Sequence, residues 1–186
     1  WIASVVAALV CIFMLLNKKQ RIVFGVSSLV VAATLATIIF SQINSNQKLQ
    51  NVLLHGRYFE NQLQGSDSQR IDAISNVTAA ISKEPFGHGL GSAGPASFQS
   101  EKPVISENWY LQIAYEIGIL GLLLYLVVFT GLLTEFFRDR KNPVAVALFS
   151  ATVGILIINM FLHAWADSTL VLIMFALYGL YRGRNA

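Results

Sequence analysis

The amino-acid sequence predicts an all-α membrane protein, a bundle of transmembrane helices with one large extracytoplasmic loop. Of its 186 residues, 55% are hydrophobic and only 12% are charged, and the mean hydropathy is +0.59. An ordinary soluble domain carries more charge than this. The basic residues stand in short clusters between apolar runs, and the net charge is only +3. No nucleic-acid partner is therefore predicted.

Five apolar segments approach the roughly 20 residues that cross a hydrocarbon core. They cover residues 1–16, 22–40, 109–134, 143–163 and 168–181. The predicted organisation has three parts: two transmembrane helices in 1–40, an extracytoplasmic loop at 41–108, and three transmembrane helices in 109–186. Because the chain opens on an apolar run at Trp1, we interpret it as a C-terminal piece of a larger protein.

The distribution of Lys and Arg predicts which side of the membrane each connection faces. Eight of the thirteen basic residues lie in three short stretches, and the other five are spread over residues 41–108. The dense stretches, predicted to face the cytoplasm, are 17–21, 135–142 and 182–186. Residues 41–108 and the turn at 163–168 then face outward. This orientation also places three aromatic side chains at the outer interface: Trp109, Tyr110 and Trp165.

The predicted third span begins with polar residues, in the sequence ENWYLQIAYEIGILGLLLYL. Asn108, Gln112 and Glu116 are spaced i, i+4 and i+8, so on a helix they share one face. Glu116 would lie about 12 Å below Asn108, where an ionisable group must face the bundle interior or water. We interpret this polar stripe as one wall of a water-filled cleft. A hydrogen-bonded seam between helices is the alternative.

The outer loop contains a predicted amphipathic helix of about 15 residues. Isoleucine and valine recur at helical spacing, and they follow three N-cap candidates, Ser66, Asp67 and Ser68. The helix presents Arg70 from its first turn and ends before Pro85.

The segment PFGHGLGS comes directly after this helix. Its glycines, Gly87, Gly89 and Gly91, allow tight turns and close approach of backbone N–H groups to an anion. Read alone, such glycines are typical of a turn. No second His or Cys stands at ligand spacing from His88, so no metal site is predicted.

The order of these segments resembles the O-antigen ligase and polymerase family of bacterial membrane glycosyltransferases. The resemblance runs from Arg70 to about Tyr125, through an Arg-x-x-x-Ile helix start, PFGHGLGS and ENWYLQIAYEIGILGLL. It implies a bundle similar to C-type glycosyltransferases in the bacterial cytoplasmic membrane, with its active site facing outward among membrane lipids. It also implies glycan transfer from an undecaprenyl-diphosphate-linked donor to a glycan, lipid or wall-polymer acceptor. Neither a cofactor nor a metal is implied.

In the family's ligases, a His-Asn pair heads the span after the loop, and that histidine assists the acceptor hydroxyl. The matching pair here is Glu107 and Asn108. This difference favours a polymerase, or a ligase of another surface polysaccharide. A carboxylate can also orient or deprotonate a hydroxyl. The alternative is that Glu107 only caps the start of the third span.

The predicted catalytic residues are Glu107, Arg70 and His88. Arg70 is assigned to the donor diphosphate, because a guanidinium recognises phosphate oxygens in a bidentate manner. The predicted substrate-binding residues are Arg57, Gly87, Gly89, Gly91, Asn108, Gln112, Glu116, His163 and Asp167. A solvated loop charge is the alternative for Arg57. A pair that caps the outer turn is the alternative for His163 and Asp167.

A second class of function stays open at this point. Transporters and flippase components also line a substrate path with polar residues inside a helix bundle. Paired spans broken by Gly or Pro, which are typical of such proteins, are lacking in the sequence. The large loop that holds Arg70, the glycines and Glu107 on one side favours an enzyme.

Overall fold

The computed structural model describes residues 2–43, 66–99 and 103–185, and within these ranges all regular structure is helical. The all-α prediction is therefore confirmed for this part of the chain. Its α-helices are α1 (Ile2–Leu15), α2 (Lys18–Ile43), α3 (Ser66–Lys83), α4 (Trp109–Glu116), α5 (Gly118–Arg138), α6 (Pro143–Ile158) and α7 (Ser168–Asn185). Short 3-10 helices lie at Gly94–Gln99 and Ala164–Ala166. The chain divides into two compact units, Leu16–Asp72 and Trp1–Leu15 together with Ala73–Ala186.

Two of the described helices are long and apolar enough to cross a membrane. They are Lys18–Ile39, with 22 residues and a hydropathy of 2.4, and Gly118–Arg138, with 21 residues and a hydropathy of 2.1. Ile2–Leu15 and Pro143–Ile158 are apolar but shorter. The predicted span 143–163 is wrong at its end, because the helix stops at Ile158 and tight hydrogen-bonded turns follow.

The amphipathic helix of the loop is confirmed as α3, which has 18 residues. Val77 and Ile81 are buried and pack with Ala114 of α4, whereas Ile71 is exposed. One apolar face of α3 therefore packs against α4, as the 3.6-residue period predicts.

The predicted span 109–134 is wrong as a single helix. It is interrupted at Ile117, which ends α4 and precedes α5. The next residue, Gly118, has φ +82°, in the left-handed region that favours glycine. The hydrophobic pattern continues across this point, so periodicity alone does not reveal the break.

After the break, the two helices do not continue in one line. The rings of Tyr110 and Tyr125 lie 5.9 Å apart. A straight helix would hold these two residues more than about 20 Å apart, at 1.5 Å per residue. Because α4 folds back beside α5, Glu116 lies at the N-terminal end of α5. Glu116 therefore does not lie partway along one continuous span, and its depth in the membrane stays a prediction.

The main hydrophobic core joins α5, α6 and α7. Phe136 is completely buried, and its ring meets Tyr178 and Tyr181 edge to face. Trp165 is buried as well, with its ring 5.3 Å from that of Phe129. Its indole packs inward, against Phe129 of α5, and a position of Trp165 at the outer interface stays a prediction.

The helices of the larger unit are joined by close packing at small residues and by a group of side-chain hydrogen bonds. A Cβ at Gly154 would lie 2.9 Å from Ala7 Cβ, so the glycine allows α1 and α6 to approach closely. At the opposite end of α5, Glu135 accepts hydrogen bonds from Tyr178 and Arg182, at 2.9 and 3.1 Å. These contacts join the C-terminal end of α5 to α7. The candidate site lies at the other, N-terminal end of α5.

Candidate functional site

A loop of residues 85–94, here called the glycine loop, docks on the break between α4 and α5. His88 N–H donates to Tyr115 O at 2.8 Å, and Gly89 N–H donates to Glu116 O at 3.0 Å. The last carbonyls of a helix lack partners within it. The glycine loop supplies those partners, so the break in the helix and the loop form one structure.

The glycines of this contact are required by space. Gly87 has φ +95°, and a Cβ there would lie 2.6 Å from both Glu116 O and Gly118 N. On the other side, Ile119 N–H donates to Pro85 O at 2.9 Å. Backbone therefore meets backbone without side chains between, and the N-terminal end of α5 is tied to the loop.

The turn conformation expected for the loop glycines is confirmed, since Gly87, Gly89 and Gly91 all have positive φ. The N–H groups of Gly87 and Gly89 donate to protein carbonyls, those of Glu84 and Glu116. The close approach that these two glycines allow is thus made to the protein's own backbone. Substrate binding by the three glycines stays a prediction.

Gln112 and Glu116 of the polar stripe are held against the glycine loop. Glu116 Oε1 accepts from Gln112 Nε2 at 3.1 Å and from Ala93 N–H at 3.3 Å. Gln112 is only 6% exposed, and a Cβ at Gly94 would lie 2.5 Å from its amide. The structure therefore favours a hydrogen-bonded seam, formed between a helix and a loop rather than between two helices.

Asn108 is the N-cap of α4. Its Oδ1 accepts from the N–H groups of Tyr110 and Leu111 at 3.0 and 3.1 Å, and its Nδ2 donates to Met160 O at 3.1 Å. A side-chain cap of this kind satisfies free N–H groups of the first turn. The cap role that was the alternative for Glu107 therefore belongs to Asn108.

Glu107 has φ 49°, the one non-glycine residue with positive φ in the described part of the chain. Its side chain is exposed at the start of α4. A non-glycine residue in this conformation costs on the order of 1–3 kcal/mol and persists only where the surrounding structure holds it. Here the residue that follows Glu107, Asn108, is fixed in place by its capping hydrogen bonds. Strain of this kind is concentrated at functional sites.

His163 lies on the same side of the fold as Glu107. Trp109 N–H donates to Asn159 O at 2.9 Å, which fixes the start of α4 against the end of α6, four residues before His163. Burial lowers the pKa of His163, while the negative charges of Glu107 and Glu116 act in the opposite direction. Its Nε2 is buried and makes no hydrogen bond to the described residues.

Asp167 caps the start of α7, because its Oδ1 accepts from Thr169 N–H at 2.8 Å. The alternative of a His163–Asp167 pair that caps the outer turn is met only in part, because Asp167 caps α7 and His163 makes no side-chain cap hydrogen bond. Its carboxylate is exposed. A contribution of Asp167 to substrate binding stays a prediction.

His88 is oriented by three contacts. Its ring stacks on Tyr115, with centroids 3.9 Å apart and an interplanar angle of 2°. Nδ1 lies 3.2 Å from Tyr115 O, and Nε2 lies 3.5 Å from Glu84 Oε2. The imidazole is thus held between a carbonyl and a carboxylate at the edge of the glycine loop.

The two predicted arginines are not placed in this site by the structure. Arg70 lies on the first turns of α3, within the unit Leu16–Asp72. Arg57 lies outside the described residues. Their roles at the donor diphosphate stay predictions.

Comparison with known proteins decides the family. The family model described as O-antigen ligase matches residues 1–126. The chain belongs to the O-antigen ligase family. It is 27% identical over 132 residues to an O-antigen polymerase from Salmonella muenchen, in an alignment that covers 67% of this chain and 31% of the relative. The aligned part is thus about a third of the relative's length. No solved structure matches the chain.

The part of the chain matched to the O-antigen ligase family ends within α5. It contains the glycine loop, Glu107 and the whole of α4. His163 and Asp167 lie beyond it, on the connection between α6 and α7. Membership in this family and the two candidate spans indicate a membrane protein.

Two features of the candidate site were missed from the sequence. Glu84 stands four residues before His88, with Oε2 3.5 Å from His88 Nε2; the contact spans a non-helical turn, so helical spacing gave no signal for it. Asn159 is completely buried and donates from Nδ2 to the Tyr125 hydroxyl at 3.2 Å. The only local sign of the contact between Asn159 and Tyr125 was the presence of an amide side chain at the end of the apolar segment 143–163.

Proposed function

We propose that the protein transfers or polymerises glycan at the outer face of the bacterial cytoplasmic membrane. The donor is a glycan linked to undecaprenyl diphosphate, and the acceptor is a sugar hydroxyl of a glycan, lipid or wall polymer. Membership in the O-antigen ligase family supports the reaction class. The observation that carries the assignment of the site is the strained, exposed Glu107 beside the Asn108 cap.

In this proposal Glu107 is the general base. The acceptor oxygen attacks the anomeric carbon of the donor sugar, the bond from that carbon to the diphosphate oxygen breaks, and the hydroxyl proton passes to the Glu107 carboxylate. Undecaprenyl diphosphate leaves with the bonding electron pair. A positioned base of this kind contributes roughly 10²–10⁴-fold to a rate.

The departing diphosphate gains negative charge, which a cation stabilises most strongly where water is scarce. We assign this role to Arg70, and secondarily to Arg57, because of the bidentate geometry of the guanidinium. The proposal uses no metal ion and no nucleotide sugar, as the family resemblance implies.

His163 and His88 have supporting roles in the proposal. His163 is kept neutral near pH 7 because burial lowers its pKa, so it can exchange hydrogen bonds with a substrate hydroxyl without adding charge beside Glu107. His88, stacked on Tyr115 and adjacent to Glu84, is the second candidate base. Both belong to the same compact unit as Glu107.

The orientation of the site follows the charge distribution. With residues 135–142 in the cytoplasm, the N-terminal end of α5 and the glycine loop face outward. The interruption at Ile117 adds a second feature in favour of the transport alternative, since broken helices line transport paths. In the described residues this break has no counterpart in α1, α2, α6 or α7.

One experiment separates the two classes. The full-length protein in detergent is mixed with a lipid-diphosphate oligosaccharide, and products are resolved by size. Glycan transfer or chain growth without any compartment is the expected result. Activity that requires a sealed vesicle, with no covalent product in detergent, would instead identify a transporter.

A further inference from the structure

Phe86 and Leu90 are large apolar side chains that the glycine loop leaves outside the fold. Each is 83% exposed. They flank the segment Gly87–Gly89, whose backbone is bonded to the end of α4. An apolar pair held outward on a fixed loop is a feature of contact surfaces, for lipid or for protein.

The position of Phe86 along α5 is fixed by backbone contact. A Cβ at Gly118 would lie 2.6 Å from the Phe86 carbonyl carbon, and Ile119 N–H donates to Pro85 O. Phe86 therefore sits at the N-terminal end of α5. The 21 residues of α5 rise about 31 Å, which matches a hydrocarbon core of about 30 Å. With α5 across the membrane in the proposed orientation, the pair would lie where the acyl chains end.

The apolar surface of the loop continues onto the candidate span. Ile117, Leu120 and Leu124 are exposed by 50%, 63% and 67% at the start of α5. In a helix that crosses a membrane, such a face is in contact with acyl chains. Continuity between this face and Phe86 favours lipid as the occupant of the loop surface.

Six of the nine backbone N–H groups of the loop are satisfied by the protein, whereas those of Phe86, Leu90 and Gly91 make no such bond to the described residues. The N–H groups of residues 87–89 and 92–94 all donate to protein acceptors, among them Tyr115 O, Glu116 O and Val104 O. Backbone at membrane depth is tolerated only where its polar groups are satisfied by protein. A loop in water has no such requirement.

We propose that Phe86 and Leu90 form a lip that inserts into the acyl-chain boundary of the outer leaflet. The inference rests on the orientation of α5 given under the proposed function. The lip holds His88 and Glu116 at the membrane surface, where the diphosphate of a polyprenyl-linked donor lies. Its partner is the lipid surface itself, and no particular headgroup is required.

Site-directed nitroxide labelling tests the lip. In the full-length protein with Cys11→Ser and any other native cysteines replaced, Phe86→Cys, Leu90→Cys and Lys83→Cys are labelled singly and reconstituted in lipid nanodiscs. Lys83 is the matched control, because it is exposed and charged and stands three residues before Phe86. Collision rates are measured with oxygen, which concentrates in acyl chains, and with a neutral nickel chelate, which stays in water.

Labels at positions 86 and 90 are expected to collide with oxygen several-fold more often, and with the nickel chelate several-fold less often, than the label at position 83. High nickel accessibility at both positions would place the loop in water and overturn the proposal. Low accessibility to both reagents would show a covering protein segment, which also overturns it. Glycan transfer assayed on unlabelled protein is a separate readout, so loss of the proposed function and loss of the lip are distinguishable.

Discussion

Gly87 and Gly118 meet backbone to backbone, and neither position has room for a side chain. A Cβ on Gly87 would lie 2.6 Å from Gly118 N, and a Cβ on Gly118 would lie 2.6 Å from Pro85 O. Both residues also have positive φ. The contact joins the glycine loop to the break in the helix, and the candidate site depends on that junction.

Replacing either glycine is therefore expected to destabilise the protein. For Gly87→Ala or Gly118→Ala, the unfavourable φ and the overlap together cost about 2–5 kcal/mol of unfolding free energy. The apparent melting temperature in detergent should fall. Gly131→Ala is the matched control, since Gly131 lies in α5 with nothing within 4 Å of the added Cβ. Equal melting of all three variants would contradict the close contact.

The cap and the proposed base can be separated by paired substitutions. Glu107→Gln should lower the transfer rate by roughly 10²–10⁴ with normal melting, because it removes only the negative charge. Asn108→Ala should lower stability by about 1 kcal/mol, because it removes the cap of α4. Glu107→His should retain more activity than Glu107→Gln. A Gln variant with wild-type transfer would move the role to His88 or Glu116.

The orientation of the bundle is open to thiol labelling in intact cells. In a background without other cysteines, Gln99→Cys should react with an impermeant reagent, and Gly183→Cys should not, because the basic end of α7 is predicted to face the cytoplasm. Both positions are exposed. Ser97 is unsuitable although it is close to Gln99, since it is completely buried and its hydroxyl bonds to Gly94 O and Val104 N. Reversed labelling would place the whole site in the cytoplasm.

The burial of His163 predicts a dependence of stability on pH. Because burial lowers its pKa below the ordinary 6.5, the folded state binds the proton less readily than the unfolded state does. The stabilising contribution is present above about pH 6.5 and is lost as the pH falls through the lower folded-state value. The melting temperature of the wild type should drop between pH 7.5 and 5.5. His163→Gln should reduce that drop, and an unchanged pH profile would contradict the burial of the ring.

Local pattern was sufficient for the helices themselves. The spacing of Ile74, Val77 and Ile81 predicted α3, and the helix ends just before Pro85, as the ring of proline requires. The family resemblance was likewise visible in short segments, PFGHGLGS and ENWYLQIAYEIGILGLL, which lie within the matched residues. Periodicity and turn chemistry act over a few residues, so the sequence alone was enough to predict them.

Only the tertiary structure decided what those segments do to one another. The sequence predicts a continuous span through Ile117, because the hydrophobic period continues there. The break is stabilised by backbone hydrogen bonds with residues 85–89, about thirty residues away in the sequence. That contact places Glu116 at the N-terminal end of α5 and buries Gln112 under the loop. Asn108 became the cap, because its side-chain oxygen accepts hydrogen bonds from the Tyr110 and Leu111 N–H groups. Electrostatic coupling of His163 to Glu107 arises from packing across more than fifty residues, which no local spacing encodes.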